Sequence, residues 1–377
     1  MTDLPEEAYA AALASLAHLT PPRLRSLLVR LSPSEAWEAV CRGQAFPKGL
    51  PTFSKTPEPM EALRAQAAEV DPTALWHRCV STGTAVAVFS DSAYPIELAD
   101  DPAAPAVLFS RGDLSLMAGR RVAIIGTRRA TAVGREMAAE LGADLAREGV
   151  RVVSGLASGI DGAAHKGVFS VRSAPPIGVV ASGLDTPYPS AHKHLWERVA
   201  TEGVLLAEVP PGSIPQPHRF PQRNRVIAAL SEVVVVVESH ARGGSLLTVE
   251  QAMNRDRIIM AVPGSPRNDA AAGTNELLRD GCLPVHNVDD VLMQLGLGRL
   301  ANTPRQDRRP EPDPTDASIL QLISDRPLSL NDLINASGHD LRTVALALAR
   351  LELHGWVLEM AGTYERVHVA TAGSRVP

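Results

Sequence analysis

One stretch, Arg121 to His165, limits the folds open to this chain; it reads RVAIIGTRRATAVGREMAAELGADLAREGVRVVSGLASGIDGAAH. Val122 to Ile125 is a short apolar, β-branched run halted by Gly126. Gly134 to Glu148 then repeats small apolar residues at helical spacing until Gly149 closes the run. Val150 to Val153 is a second strand-like run, ended by Ser154-Gly155. Two such runs joined through a helix predict a crossover whose strands are parallel and buried. In a sheet of that kind, ligands meet the loops at the carboxyl ends of the strands.

The first of those loops narrows the ligand. Gly126-Thr127-Arg128-Arg129 offers a glycine for close backbone approach, a hydroxyl, and two guanidiniums ahead of a helix amino terminus. Phosphate is the expected partner. A nicotinamide dinucleotide is not, because the second and third glycines of GxGxxG are missing and Ser154-Gly155 stands where the ribose-binding acid belongs.

The alternation continues on both sides. Ala85–Phe89 and Ala106–Phe109 read as strands before Arg121, followed after His165 by strands at 177–181, 204–208, 233–237 and 258–262. Helices at 191–201, 221–230, 245–255 and 275–280 fall between and after them. The expected fold is α/β, an extended Rossmann-like, doubly wound parallel sheet over residues 84–299 with right-handed crossovers. Residues 1–83 carry helical signals only: an alanine-rich start at Glu6, Pro22 to Leu31, a capping box with proline at Ser32-Pro33-Ser34-Glu35, and the Asp71-Pro72 entry. Arg23, Arg25 and Arg30 there read as a solvated basic face. Residues 300–315, proline-rich and charged, read as a linker. Residues 316–377 read as a winged helix, with helices at 317–324, 330–336 and 341–354 and a hairpin turning at Ala361-Gly362. Its third helix sets Arg342, Arg350 and His354 among alanines and leucines, with Asp340 and Glu352 opposing them, which favours partner docking or dimerisation over reading a DNA groove.

Composition bounds the compartment and the partner. Across 377 residues there is no apolar run of membrane length and no signal-peptide pattern, so a cytoplasmic protein without a membrane partner is expected. Cys41, Cys79 and Cys282 form no disulfide or metal motif, and no metal or cofactor is expected. A net charge of −5 confines any nucleic-acid site to a local groove.

The chemistry gathers at one sheet edge. Gly243-Gly244-Ser245, with Arg242 beside it, precedes a helix and makes a second anion seat. Between the two seats lies HRFPQRNR, where Phe220 stands among Arg219, Arg223 and Arg225, with Asn224 alongside. Cations for phosphates and a ring for base stacking are the ingredients of a single-stranded nucleic-acid site. Asp161 and His165, one helical turn apart, read as a structural pair ordering the Ser154–Gly159 loop.

GTRR, SGLASGIDGAAH, GLDTPYP, FPQRNRVIAALS, GGSLLT and AVPG, in that order, resemble the bacterial DNA-processing protein A family, also called Smf, over roughly residues 85 to 290. The resemblance implies a non-enzymatic homodimer that binds single-stranded DNA, protects it and loads a RecA-type recombinase in natural transformation, with a sterile-alpha-motif-like helical domain in front and a winged helix behind. It implies DNA contacts at Gly126, Thr127 and Arg128, at Phe220, Arg223 and Asn224, and at Gly243, Gly244 and Ser245. Arg129, Ser154, Gly155 and Arg225 join the expected set from their loops. Thr127 stands where the family usually has serine, and Ser158 where arginine is common.

The competing class is a Rossmann-like nucleotide phosphoribohydrolase, whose PGGxGTxxE signature Gly243 to Glu250 matches in part. There Glu250 would work on a glycosidic bond while Arg242 held the phosphate.

Overall fold

The computed structural model describes residues 4–43, 58–171, 173–298, 309–323, 326–360 and 362–367. The chain divides into two compact units, Met1–Gly298 and Arg299–Pro377.

The first unit is built on a sheet of β1 (Ala85–Val88), β2 (Val107–Gly112), β3 (Arg121–Ile125), β4 (Arg151–Ser154), β5 (Ile177–Val180), β6 (Val204–Ala207), β7 (Val233–Val236), β8 (Ile258–Ala261) and β9 (Leu283–Pro284). Their spatial order is β1-β2-β6-β5-β4-β3-β7-β8-β9. From β6 to β9 neighbours run parallel, as the crossovers require, whereas β1 pairs with β2, and β2 with β6, antiparallel. That departs from the all-parallel expectation. The β1–β2 connection holds only the four-residue helix Ile96–Ala99, and strand direction at such an edge leaves no mark on composition.

Residue alternation explains the two layers. Val122 and Ile124 of β3 point to one face, into a core with Leu141 and Leu145 of the helix Ala132–Arg147, Ile160 of Ile160–Val168, and Val291 of Val288–Gln294. Ala123 and Ile125 point to the other, against Ile227 and Leu230 of Arg219–Leu230, Val249 of Leu246–Met253 and Leu277 of Ala272–Arg279. The chain winds outward from β3 through β4, β5 and β6, then returns to β7 on the opposite side of β3. Their registers match from Val122↔Val233 to Ile125↔Val236. Winding reverses at this point, which opens a crevice between the carboxyl ends of β3 and β7.

Helices Glu6–Ser15, Pro21–Leu28, Pro33–Arg42, Glu58–Glu69 and Pro72–Ser81 pack on the β1 edge, where Leu13, Leu27, Val40, Leu63 and Cys79 share one core with Phe109, Trp196 and Leu205. The Ser32–Glu35 capping box forms as expected. Arg25 does not lie on a solvated face: its guanidinium sits 4.5 Å above the Phe89 ring and donates to the Ala104 carbonyl at 3.2 Å. Arg78 pairs with Asp185 at 2.7 Å, tying the fifth helix to the loop after β5.

The second unit is a winged helix. Helices Pro314–Leu322, Leu330–Ser337 and Leu341–Leu353 enclose Ile319, Leu333, Val344, Leu348 and Val357 beside a sheet of β10 (Leu328–Ser329), β11 (Val357–Met360) and β12 (Thr363–Arg366), in the order β10-β12-β11. Its first helix begins at Pro314, because Asp313 caps it by accepting the Asp316 N–H at 2.8 Å. The proposed linker lies, up to residue 308, outside the described residues. Arg350 bonds Asp316 at 2.9 Å and approaches Asp313 at 3.4 Å, so its charge is spent within the unit.

Candidate nucleic-acid interface

Backbone contact between β3 and β7 builds the crevice. The Thr127 N–H donates to the Glu238 carbonyl at 2.7 Å. A Cβ on Gly126 would lie 2.5 Å from Ile160 and 2.7 Å from that carbonyl, so only glycine passes there. The Glu238 side chain turns inward and is 6% exposed. One carboxylate oxygen accepts the Thr131 hydroxyl at 2.6 Å and the other the Thr131 N–H at 2.9 Å, at the start of the helix Ala132–Arg147. It also lies directly on Gly134, where a Cβ would meet the carboxyl carbon at 2.3 Å. The helix start that the sequence offers to phosphate is therefore closed by the Thr131 hydroxyl, which accepts the Gly134 N–H at 3.0 Å, with the Glu238 carboxylate packed over it.

Arg128 and Arg129 remain exposed on the loop between. The Arg128 guanidinium sits 4.4 Å above the Phe220 ring, whose centroid is 5.7 Å from that of Tyr188 at an interplanar angle of 54°. Three separate segments meet here: the loop after β3, the first turn of Arg219–Leu230, and the loop after β5. Tyr188, 42% exposed, lies in the GLDTPYP turn and, like Glu238 and His240, stands outside the residue set expected from the sequence. The Thr127 hydroxyl accepts the Arg129 N–H at 3.2 Å and lies 3.3 Å from His240 Nδ1, which joins this loop to the segment after β7.

That segment leads to the glycine pair. A Cβ on Gly243 would come within 2.5 Å of the Ser239 hydroxyl, whereas Gly244 is exposed with open space around it. The Ser245 hydroxyl donates to Ser239 Oγ at 2.9 Å instead of capping the helix that follows. Arg242 is exposed.

The rest of the expected contact set faces inward. Ser154 is fully buried and donates to the Ile124 carbonyl at 2.6 Å. Gly155 is buried under Arg223, whose Nη1 would lie 1.9 Å from a Cβ placed there. Arg223 itself is 6% exposed and donates to the Val179 carbonyl. Burial holds its pKa down to about 10 and pushes that of Asp161 up, each group opposing the other's shift by its charge. Asn224 is buried, and Arg225 is largely so in an ion pair with Glu208. Helical periodicity is the cause: positions 223, 224, 227 and 230 share one stripe, and Ile227 and Leu230 commit it to the sheet.

Asp161 orders the Ser154–Gly159 loop as expected, accepting the Gly155 N–H at 3.1 Å. His165 takes a different partner: its Nε2 lies 3.3 Å from the Ile177 carbonyl, and burial lowers its pKa to about 4. Glu250 is exposed on its helix. Among the described residues no His, Cys, Asp or Glu cluster suits a metal, and no helix is long and apolar enough to cross a membrane.

Fold and site together define a Rossmann-like protein with an open, arginine-bearing sheet edge and a glutamate packed on its first strand-to-helix turn. Residues 85–296 match the family model of DNA recombination-mediator protein A, and residues 303–363 that of the DprA winged helix domain. The chain is 39% identical over 207 residues to DNA processing protein DprA of Bacillus subtilis, covering 55% of this chain and 69% of that protein. The X-ray structure of DNA processing protein A from Streptococcus pneumoniae superposes with a TM-score of 0.62 at 28% identity, covering 77% of this chain and 98% of that one. A structure of DNA processing protein A from Helicobacter pylori, described by its single-stranded DNA binding mode, gives a TM-score of 0.50 at 27% identity and covers 56% and 95%. This chain belongs to the DNA recombination-mediator protein A family, DprA/Smf.

Proposed function

We propose that the carboxyl edge of the sheet binds single-stranded DNA, with Arg128 and Arg129 on phosphates and Phe220 and Tyr188 stacking on bases. The Gly126-Thr127 and Gly243-Gly244-Ser245 backbones, with Arg242, line the path of the strand. The observation that carries this reading is the stack of Arg128 on Phe220 beside Tyr188, which sets a cation and two rings at one exposed edge. Ser154, Gly155, Arg223, Asn224 and Arg225 serve as the scaffold beneath. The likeness to a relative described as binding single-stranded DNA supports the same ligand class.

Within that reading the protein is a cytoplasmic homodimer that protects incoming DNA and hands it to a RecA-type recombinase, as its family membership suggests. It works by binding, without catalysis. A phosphoribohydrolase needs a closed pocket around a nucleotide phosphate, whereas Glu238 takes up the helix terminus and Glu250 stands in solvent. The domain division proposed is a helical module to residue 83, the DNA-binding sheet to 299, a tether that ends where Asp313 caps the next helix, and a winged helix that docks protein. The experiment is a fluorescence-anisotropy titration with single-stranded and duplex oligonucleotides of equal length, in which the single strand binds more tightly.

A further inference from the structure

We propose that Glu238 sets this crevice for a continuous nucleic-acid strand and against free nucleotides and polyphosphates, by acting as a built-in anion in the seat where a dinucleotide-binding Rossmann fold takes pyrophosphate. The proposal rests on the reading of this edge as a single-strand site.

In the dinucleotide-binding fold a first βα turn leads to a helix whose amino terminus carries the pyrophosphate, and a glycine lets the phosphate come close. The same parts are present here: the turn at Gly126, the helix Ala132–Arg147, and Gly134 in its first turn. What fills the place of the phosphate is the Glu238 carboxylate, packed on Gly134 and bonded to both the N–H and the hydroxyl of Thr131. A buried carboxylate there takes the Thr131 N–H and hydroxyl, fills the space over Gly134 and repels a second anion.

Glu238 also fixes where the arginines go. Its backbone carbonyl takes the Thr127 N–H and its side chain takes Thr131, so residues 127 to 131 are held at both ends by one residue just past the end of β7. The loop between them carries Arg128 outward, over Phe220, rather than into the crevice. Phosphates of a strand passing along the rim meet cations, while a mononucleotide finds no seat behind them. Glu238 is thus a positioning residue for the loop and a specificity-determining residue for the ligand.

The test titrates the full-length protein and its Glu238→Ala variant with a fluorescent oligothymidylate, with and without inorganic pyrophosphate, chloride being used to match ionic strength. In the native protein pyrophosphate competes no better than matched chloride. Opening the seat makes pyrophosphate compete about tenfold more strongly and raises the melting temperature of the variant. If Glu238→Ala does not fold, Glu238→Ser, which also clears the space over Gly134 and removes the charge, shows the same shift in the same direction. Folded variants in which pyrophosphate competes no better than in the native protein overturn the proposal, and so does saturable pyrophosphate binding by the native protein at the strength of the variants. If the native protein failed to bind the oligonucleotide, the single-strand reading would fall instead. The pyrophosphate-induced melting shift, compared between native and variant protein, would still decide the role of Glu238.

Discussion

The Arg128 guanidinium lies 4.4 Å above the centre of the Phe220 ring, with the two residues on different segments of the sheet edge. An exposed cation over a ring is worth about 0.5–1 kcal/mol, enough to hold Arg128 near one position before any ligand arrives. A preset cation beside a ring has lost part of the side-chain freedom that binding would otherwise cost.

Coupling between these two residues is the first expectation. Arg128→Ala lowers the slope of log affinity against log salt by about 0.7, the loss of one single-strand phosphate contact. In a double-mutant cycle with Phe220→Ala, measured by anisotropy, the two losses are not additive, and the interaction term is of order 0.5–1 kcal/mol. Additive losses would mean that the stack plays no part in binding.

Arg223 behaves differently from Arg128, because it is buried beneath Gly155 and faces Asp161. Arg223→Ala leaves a buried carboxylate without its compensating charge and destabilises the unit by about 3–5 kcal/mol in urea unfolding. Gly155→Ala has no room for its methyl group and costs about 1–3 kcal/mol. A Gly155→Ala protein that unfolds like the native one would show that the loop yields freely.

His165 supplies a pH test. Its pKa is held at about 4 in the fold against 6.5 ordinarily, so the unfolded chain takes up a proton over that interval and the folded chain does not. The stability contributed by this neutral histidine is present above pH 6.5, declines as pH falls toward 4, and below that is lost by about 3 kcal/mol. Urea unfolding of native protein and His165→Asn between pH 7.5 and 4.5 checks it, the variant losing that component of the slope.

How far the sequence foretells all this varies with the kind of contact. β-branched runs such as Val233 to Val236 and Val122 to Ile125 announce the parallel strands, because strands buried on both faces must be apolar throughout. β9, Leu283–Pro284, is too short to register, and the helix Glu58–Glu69 is not among the signals picked out over residues 1–83. At the site, Gly126, Arg128 and Phe220 stand out as residue types in a loop. The inward turn of Arg223 and Asn224 follows from their spacing to Ile227, a helical signal outweighed by the charge of the segment. Glu238 is the hardest to foresee, since its role exists only once β7 lies beside β3, a pairing between distant parts of the chain.

The winged helix yields a further expectation. With Arg350 engaged by Asp316, and Leu346 and Leu353 exposed on the third helix, that helix offers little to a phosphate backbone. Removing residues 299–377 leaves single-strand affinity of the first unit within about twofold, a difference of about 0.4 kcal/mol, by the same titration. A larger loss would give the second unit a share of the DNA.

The most direct measurement is affinity for single-stranded against duplex DNA of equal length, for native protein and Phe220→Ala at one salt concentration. The native protein prefers the single strand, and loss of the ring removes about 1–3 kcal/mol from single-strand binding while duplex binding barely changes. Equal affinity of the native protein for both forms, unaffected by Phe220→Ala, would contradict the account.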